Sequence, residues 1–316
     1  MNTRLKNIVL FILFWNVNIL AAENNLQSNI LVSDRNLSVY SEKILISAVN
    51  NIKQHKIEKA LEQLKELLKI NPDFKVAQLI YADLMLSRSQ PITDFGNIQN
   101  ASFENINSLL SEIKARWDFH EEKIDENKLP SSLITLANTQ RHVIIVDASA
   151  SRLFLFENEN GSPRVKSDFY VTIGKNGTEK YTEGDQKTPI GVYFVTGFIP
   201  SEDLPDLYGD GAYPIDYPNA WDQRHGRTGY GIWLHGTPSN TYSRAPKDSN
   251  GCVIVSNTDL NTLSEFIDEG KTPVIITNSI NWLNKQEWEL RNNKYNFLVE
   301  KWRQDWQSRD VDLYLQ

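Results

Sequence analysis

The feature that most constrains the fold is a series of short β-rich runs in the second half of the chain. Turn residues separate the runs, including Asn160-Gly161 and Asn176-Gly177. The runs are His142–Asp147, Arg152–Glu157, Asp168–Ile173, Gly191–Ile199, Gly231–His235, Cys252–Val255 and Pro273–Thr277. Helices do not alternate regularly with these runs, which disfavours a doubly wound parallel sheet. We therefore predict a β-dominated domain over residues 133–280, with one helix from Thr258 to Asp268 that Thr258 caps.

Helical periodicity dominates the preceding region, residues 23–132. Apolar residues recur three and four positions apart, as in Ala60, Leu61, Leu64, Leu67 and Leu68. The helix–Asn71-Pro72-Asp73–helix arrangement resembles one tetratricopeptide (TPR) unit, but a solenoid needs about three such units. We predict a helical arm that supports the β domain, and a docking surface for a protein partner is the alternative.

The tail, residues 281–316, is predicted to be helical and aromatic-rich. Its apolar anchors include Trp282, Trp288, Trp302 and Trp306. The predicted fold class is therefore α+β, with a helical TPR-like arm, a β-rich domain and a helical tail.

The N-terminus has the layout of a secretory signal peptide. Arg4 and Lys6 precede a short apolar stretch, Ile8–Leu20, and Ala21-Ala22 then provide small residues. Residues 1–22 are thus predicted to be a cleaved signal, with the mature protein in the periplasm or at the cell envelope. An uncleaved membrane anchor is the alternative.

Charge and cysteine count exclude some classes of function. The net charge of −7 argues against a general nucleic-acid-binding protein, which usually carries a basic patch. Cys252 is the single cysteine of the sequence, so no internal disulfide can form. A lone cysteine is most often a core residue, and the residues around it must show whether this one is reactive.

The segment from Gly231 to Asn257 carries the chemistry. His235 closes an apolar run, and Cys252 opens the next one. A cysteine nucleophile needs a base such as histidine within reach, together with donors for the oxyanion of acyl transfer. We predict Cys252 and His235 as catalytic, and the backbone amides of Asn250, Gly251 and Cys252 as oxyanion donors. A zinc site is disfavoured, because one cysteine and scattered histidines lack ligand spacing.

This segment resembles the signature of the YkuD L,D-transpeptidase family. His235-Gly236 matches the family's His-Gly pair, and Ser249-Asn250-Gly251-Cys252 matches its Ser/Thr-His-Gly-Cys core. Upstream, Lys187-Thr188-Pro189-Ile190-Gly191 is similar to the family's Thr-Pro-x-Gly block. Three blocks in the family's order make the resemblance specific, and it covers residues 141–278.

The resemblance implies an enzyme that acts on peptidoglycan stem peptides without a cofactor. Cys252 would attack the carbonyl of the third stem residue, with His235 as the base, and expel the terminal D-Ala. An amine acceptor makes the enzyme a transpeptidase, and water makes it an L,D-carboxypeptidase. A degenerate domain that binds stem peptides without turnover is the third alternative.

Two departures from the family pattern refine the resemblance. Asn250 replaces the usual histidine, and Ile254 stands where many relatives carry Asn or Arg. These departures resemble the subgroup of helical-cell-shape L,D-carboxypeptidases, which also have extra N-terminal helices and a C-terminal SnoaL-like domain. The tail is similar to the first helix of that domain.

Further residues are predicted to line the site. Gly236 and Ser249 would support the backbone around the catalytic pair. Arg244 could bind a stem-peptide carboxylate with its guanidinium fork, and a salt bridge within the protein is the alternative. Tyr230 and Tyr242 could wall the substrate groove, with core packing as the alternative.

Overall fold

The computed structural model describes residues 37–91, 96, 102–122, 125 and 127–315. The predicted signal peptide, residues 1–22, lies outside these residues. A helical region, a strand-rich domain and a long C-terminal helix follow one another along the chain, and the predicted α+β class is confirmed.

Helices form the N-terminal arm. In order they are α1 (residues 37–53), α2 (Ile57–Ile70), α3 (Lys75–Leu86) and α4 (Phe103–Glu122). The helical spacing of α2 buries one face, made of Ala60, Leu61, Leu64 and Leu67. This face shares a core with Leu45 of α1 and Ile80 of α3. The predicted helix–turn–helix around Asn71-Pro72 is present between α2 and α3.

A five-stranded sheet is the first layer of the strand-rich domain. Its strands are β2 (His142–Asp147), β3 (Arg152–Glu159), β4 (Ser162–Tyr170), β6 (Gly191–Phe194) and β12 (Pro273–Thr277), in the order β4-β3-β2-β12-β6. β12 runs parallel to β2 and antiparallel to β6. Both faces of β2 are covered, which explains its nearly continuous apolar sequence.

Shorter strands form the second layer and two small ribbons. The four-stranded sheet has the order β11-β9-β8-β7, with β7 (Ile199–Pro200), β8 (Gly211–Pro214), β9 (Trp233–His235) and β11 (Val253–Ile254). The ribbons pair β5 (Ile173–Gly174) with β10 (Lys247–Ser249), and β1 (Leu129–Pro130) with β13 (Trp282–Leu283).

The remaining helices are α5 (Ala220–Arg224), α6 (Asn257–Ser264), α7 (Lys285–Ser308) and α8 (Val311–Tyr314). Ser256, not the predicted Thr258, caps α6, because the Ser256 hydroxyl accepts the backbone N–H of Asp259. The tail helix begins at Lys285, later than predicted, because residues Trp282–Leu283 pair with β1 as a strand. Among the described helices, none combines the length and the apolar character needed to cross a bilayer.

The core of the strand-rich domain lies between its two sheets. Ile144 and Val146 of β2 share it with Leu234 of β9 and Val253 of β11. The alternate residues of β2, Val143 and Ile145, point to the other face of the five-stranded sheet. β9, which ends at His235, and β11, which begins just after Cys252, are therefore anchored by side chains buried in the main core.

Buried ion pairs join the arm to the strand-rich domain. The guanidinium of Arg152, in β3, donates to both carboxylate oxygens of Glu42, in α1, at 3.0 and 2.6 Å. Arg116 of α4 donates to the same carboxylate at 3.3 Å. Both arginines are almost fully buried. The arm thus contacts the domain through charged groups that are shielded from water.

Candidate active site

The two predicted catalytic residues lie on neighbouring parallel strands. His235 ends β9, and Cys252 directly precedes β11. In the register of the pair, Ile254 lies beside His235, so Cys252 lies beside Trp233. Side chains two residues apart on a strand share a face, which places Trp233 and His235 on the same face. Strand pairing therefore places the cysteine beside the start of β9 and the histidine at its end, two positions further along the same short pair.

His235 is oriented by a carbonyl group. Its Nδ1 lies 2.7 Å from the carbonyl oxygen of Gly236, a contact that requires Nδ1 to be the protonated nitrogen. The other nitrogen, Nε2, then carries a lone pair and can act as a base. Burial lowers the pKa of His235 to about 4, against the opposing effect of the Gly236 carbonyl, and the charge of Arg244 also lowers this pKa.

The Cys252 thiol lies between two backbone groups of the neighbouring strand. Sγ donates to the carbonyl oxygen of Gly231 at 3.4 Å. Burial raises the pKa of the thiol, while the Trp233 N–H and the charges of Arg244 and Lys180 oppose this rise. Cys252 as a whole residue is partly buried, and desolvation is the largest influence on the pKa of its thiol.

The two pKa shifts make His235 and Cys252 a neutral pair. A thiol with a raised pKa and an imidazole with a pKa near 4 are both uncharged at pH 7. Such a pair favours general-base catalysis, in which the histidine removes the thiol proton as the sulfur attacks. A preformed thiolate–imidazolium pair would require the opposite shifts.

A tight turn from Ser249 to Cys252 presents the thiol. The Ser249 hydroxyl accepts the N–H of Gly251 at 3.0 Å and donates to the carbonyl of Cys252 at 2.7 Å. The Gly251 amide thus already has an acceptor, the Ser249 hydroxyl, with which an oxyanion would compete, and its role as an oxyanion donor stays a prediction. The amides of Asn250 and Cys252 stay predicted donors.

Glycine is required at position 251 for two reasons. Its φ of +127° is unfavourable for other residues, and an added Cβ would lie 2.8 Å from the Lys187 carbonyl oxygen. Asn250 beside it is exposed, and its side-chain oxygen accepts from Gln186 at 3.4 Å. The residue that replaces the family's histidine therefore lies on the solvent side of the turn.

The Thr188-Pro189 block supports the turn from Ser249 to Cys252 through hydrogen bonds of the Thr188 side chain. The buried Thr188 hydroxyl accepts the N–H of Gly174 and donates to the carbonyl of Gly251, each at 2.9 Å. Asp185 organises the preceding loop, where it accepts from the ammonium group of Lys180 and from the amides of residues 181, 182 and 187. Burial would raise the pKa of Asp185, but these hydrogen bonds lower it to about 2. The block thus has a structural role beside the thiol.

The three predicted substrate-binding residues have different environments. Arg244 is partly buried, and its Nε donates to Asp248 at 2.9 Å. Tyr230 is 76% exposed next to Gly231, whose carbonyl contacts Sγ. Tyr242 packs on Phe74 of the arm, with ring centroids 4.5 Å apart, as the core-packing alternative describes. Arg244 and Tyr230 stay predicted substrate contacts.

Sequence reasoning missed Tyr208, which lies at the site. Its ring is 5.0 Å from the ring of His235 in an edge-on arrangement. Burial and the Cys252 sulfur both raise the pKa of Tyr208. The residue is distant in sequence and belongs to a short 3₁₀ turn, so no local pattern marked it.

Asn257 was missed for the same reason. Its side-chain oxygen accepts the amides of Asp210 and Thr237 at 3.1 Å, and its nitrogen donates to the Thr237 carbonyl. An added Cβ on Gly236 would come within 2.0 Å of this oxygen. The predicted supporting role of Gly236 thus has a physical basis, since its carbonyl orients His235 while its missing side chain leaves room for Asn257.

No group of three His, Cys, Asp or Glu side chains suited to a metal ion occurs in the part of the chain that the structure describes.

Comparison with known proteins agrees with this geometry. The family model for the YkuD L,D-transpeptidase catalytic domain matches residues 141–276. Among solved structures, Bd1075 of Bdellovibrio bacteriovorus is 34% identical, with 59% of this chain and 67% of that chain covered and a TM-score of 0.53. The helical cell shape determining protein Pgp2 from Campylobacter jejuni is 22% identical, with 64% and 67% covered and a TM-score of 0.48. No curated protein matches the chain significantly.

Proposed function

The chain belongs to the YkuD L,D-transpeptidase family, and from this premise we propose that it is a cysteine-dependent L,D-transpeptidase of peptidoglycan. The family connects the chain to peptidoglycan. The observation that supports catalysis is the arrangement of His235, whose Nδ1 bond to Gly236 leaves Nε2 as a base on the strand beside Cys252.

The proposed reaction has two acyl-transfer steps. His235 takes the proton of the Cys252 thiol while the sulfur attacks the carbonyl of the third stem residue. The bond to the terminal D-Ala breaks, D-Ala leaves as an amine that takes the proton from His235, and a thioester remains. An amine of another stem then attacks the thioester, transfers its proton to His235, and the thiol is restored.

Water as the acceptor would make the same enzyme an L,D-carboxypeptidase. The first step is identical, and only the group that resolves the thioester differs. The identity of the acceptor is therefore an outcome of the experiment below.

Mass spectrometry of a purified disaccharide-tetrapeptide incubated with the protein tests the proposal. A dimer that has lost D-Ala supports transpeptidation, and a tripeptide alone identifies a carboxypeptidase. We expect Cys252→Ala to abolish both products and His55→Asn, a change at an exposed turn of the arm, to leave them unaffected. An unchanged tetrapeptide with folded wild-type protein would favour the stem-peptide-binding alternative, and turnover by Cys252→Ala would exclude the proposed nucleophile.

Export is part of the proposal. The basic residues, the short apolar stretch and Ala21-Ala22 support cleavage of residues 1–22 and a periplasmic location. Cell fractionation followed by N-terminal sequencing tests it, with a mature terminus at Glu23 as the expected result. A protein retained in the cytoplasm with Met1 intact would refute it.

A further inference from the structure

The loop between His235 and Cys252 is held by the arm. The backbone N–H of Tyr242 donates to the carbonyl of Asp73 at 3.3 Å. Nearby, the Ser243 hydroxyl donates to a carboxylate oxygen of Glu112, in α4, at 2.6 Å. The arm therefore contacts the segment that joins the two catalytic candidates.

Glu112 is itself fixed by Arg116, one helical turn further along α4. The Arg116 Nε donates to Glu112 at 3.0 Å, and the side chains of both residues are almost fully buried. Arg116 also reaches Glu42 of α1 at 3.3 Å. Removing two charges from water is costly, so a buried ion pair is weak evidence for stability alone. A function in orientation accounts better for charged groups at this contact.

Arg116 also acts on the residue after Ser243. Its guanidinium lies over the ring of Tyr170, 3.8 Å from the ring centroid. The Tyr170 hydroxyl donates to the carbonyl of Arg244 at 3.0 Å, as does the hydroxyl of Thr172. Ser243 is thus held through its side chain by Glu112. The backbone of Arg244 is held by Tyr170, which contacts Arg116, and by Thr172.

The guanidinium of Arg244 is held beside the Ser249–Cys252 turn, because its Nε donates to the carboxylate of Asp248 at 2.9 Å and Asp248 directly precedes that turn. Its charge lowers the pKa of Cys252 and the pKa of His235. The other groups that act on the thiol are Lys180, Tyr208 and the N–H of Trp233, and His235 lies on the neighbouring strand. A shift of the Arg244 backbone would change the distance between its charge and the sulfur.

We propose that Glu112 and Arg116 are positioning residues, through which the helical arm holds Ser243 and Arg244 so that the positive charge of Arg244 stays beside Cys252. This inference rests on the proposed function in taking Cys252 as the reacting thiol. It makes the arm a part of the active-site machinery through its contacts with the loop between His235 and Cys252.

The rate of iodoacetamide alkylation as a function of pH tests the inference. The chain has a single cysteine, so intact-mass spectrometry reports Cys252 alone. Arg244→Met should raise the apparent pKa of the thiol, because it removes a positive charge. Ser243→Ala should also raise the apparent pKa of the thiol, but by a smaller amount. The double variant should match Arg244→Met, because the two changes act through one charge.

Control variants distinguish the positioning of Arg244 by Ser243 from a general loss of rigidity in the loop. Ser243→Thr keeps the hydroxyl and should retain the wild-type pH profile. Ser239→Ala changes an exposed serine of the same loop, where the backbone amide makes the bond to Asp206, and should also leave it unchanged. An unshifted profile in Ser243→Ala, or additive shifts in the double variant, would overturn the inference.

Turnover of the tetrapeptide separates this inference from the proposed function. We expect Ser243→Ala to lower kcat/KM about tenfold, because small displacements of catalytic groups are costly. Wild-type protein that releases no D-Ala while the alkylation profiles shift as expected would refute the enzymatic proposal and leave the positioning role intact. Active wild-type protein with unshifted Ser243→Ala profiles would refute the positioning role alone.

Discussion

At the scale of single residues, the state of the catalytic pair is determined by burial. His235 is only 3% exposed, and its one strong polar contact uses Nδ1. The thiol beside it is also shielded, so neither group carries its charge easily. The proton therefore has to move during the attack, which makes the geometry of the pair more important than a preformed thiolate.

The low pKa of His235 predicts the acidic limit of activity. A base works only when it is unprotonated, so activity is present above its pKa and lost as the pH falls through about 4. We expect kcat/KM for D-Ala release to stay level from about pH 7 to about pH 5 and to halve near pH 4. Circular dichroism at each pH controls for unfolding. A loss of kcat/KM centred near the ordinary histidine pKa, about 6.5, would contradict a buried neutral imidazole.

The catalytic candidates could be predicted from the sequence because their signals are local. His235-Gly236 and Ser249 to Cys252 are short motifs at strand ends. Tyr208 and Asn257 could not be predicted, since only the tertiary fold brings them to His235 and Gly236. The bond between the Ser249 hydroxyl and the Gly251 amide could not be predicted either, because it depends on a rotamer and not on residue type.

At the scale of elements, α6 stabilises the exit of β9. Asn257, the first residue of α6, reaches back to the amides of Asp210 and Thr237. One side chain therefore connects the start of a helix to the backbone that follows His235. The Ser256 cap sets the start of α6, and the Asn257 contact fixes that start against the backbone after β9.

Removal of the Asn257 amide should destabilise the protein and impair the site. Asn257→Ala leaves two backbone donors without their acceptor, and we expect a loss of about 1–3 kcal/mol in the free energy of unfolding. Urea denaturation measures this loss, and D-Ala release measures the effect on His235. Asn293→Ala, on the exposed side of α7, should change stability by less than about 0.5 kcal/mol. Equal effects of the two changes would refute the role of Asn257.

Element types were easier to predict than their limits. Continuous apolar runs identified β2, β3 and β12, because buried strands need such residues. The predicted run Asp168–Ile173 covers only the end of β4, and the run Gly191–Ile199 extends beyond β6 into β7. The tail was predicted as helical from Trp282, yet Trp282–Leu283 is a strand. Its partner, Leu129–Pro130, lies in the region predicted as the helical arm, so the pairing could be recognised only in three dimensions.

At the scale of the whole molecule, Glu42 is the centre of the contact between arm and domain. Its carboxylate receives Arg152 from β3 and Arg116 from α4. Burial would raise the pKa of Glu42, but the two guanidinium groups lower it to about 2. The contact therefore depends on a charge that remains ionised over nearly the whole pH range.

Replacing the Glu42 carboxylate with a neutral amide should strongly lower the free energy of unfolding. Glu42→Gln removes the nearest counter-charge of the fully buried Arg152 and leaves it with Asp168, at 3.5 Å. Breaking a buried pair of this kind costs about 3–5 kcal/mol. Denaturation in guanidinium chloride near pH 7 measures the loss in the free energy of unfolding. Glu58→Gln removes an exposed ion pair with Arg88 and should cost less than about 1 kcal/mol. A comparable loss in both variants would refute the importance of the buried pair.

The same carboxylate predicts how this difference depends on pH. A depressed pKa in the folded state gives stability that is present above the unfolded value of about 4.5 and is lost as the pH falls towards about 2. The difference in unfolding free energy between wild type and Glu42→Gln should therefore be constant above about pH 6 and decline below about pH 4.5. A difference that grew in acid would contradict this assignment.

The position of β12 in the large sheet has a consequence for how the protein is made. β12 lies between β2 and β6, yet it is synthesised after both of them. Until residues 273–277 leave the ribosome, β2 lacks its partner on one side and β6 is not joined to the sheet. Two strand edges therefore stay unpaired, and such edges are sites of aggregation. The domain can close only late in translation, through contacts that join distant parts of the chain, and such closure is slow. A nascent chain that ends before β12 is thus a natural substrate for chaperones.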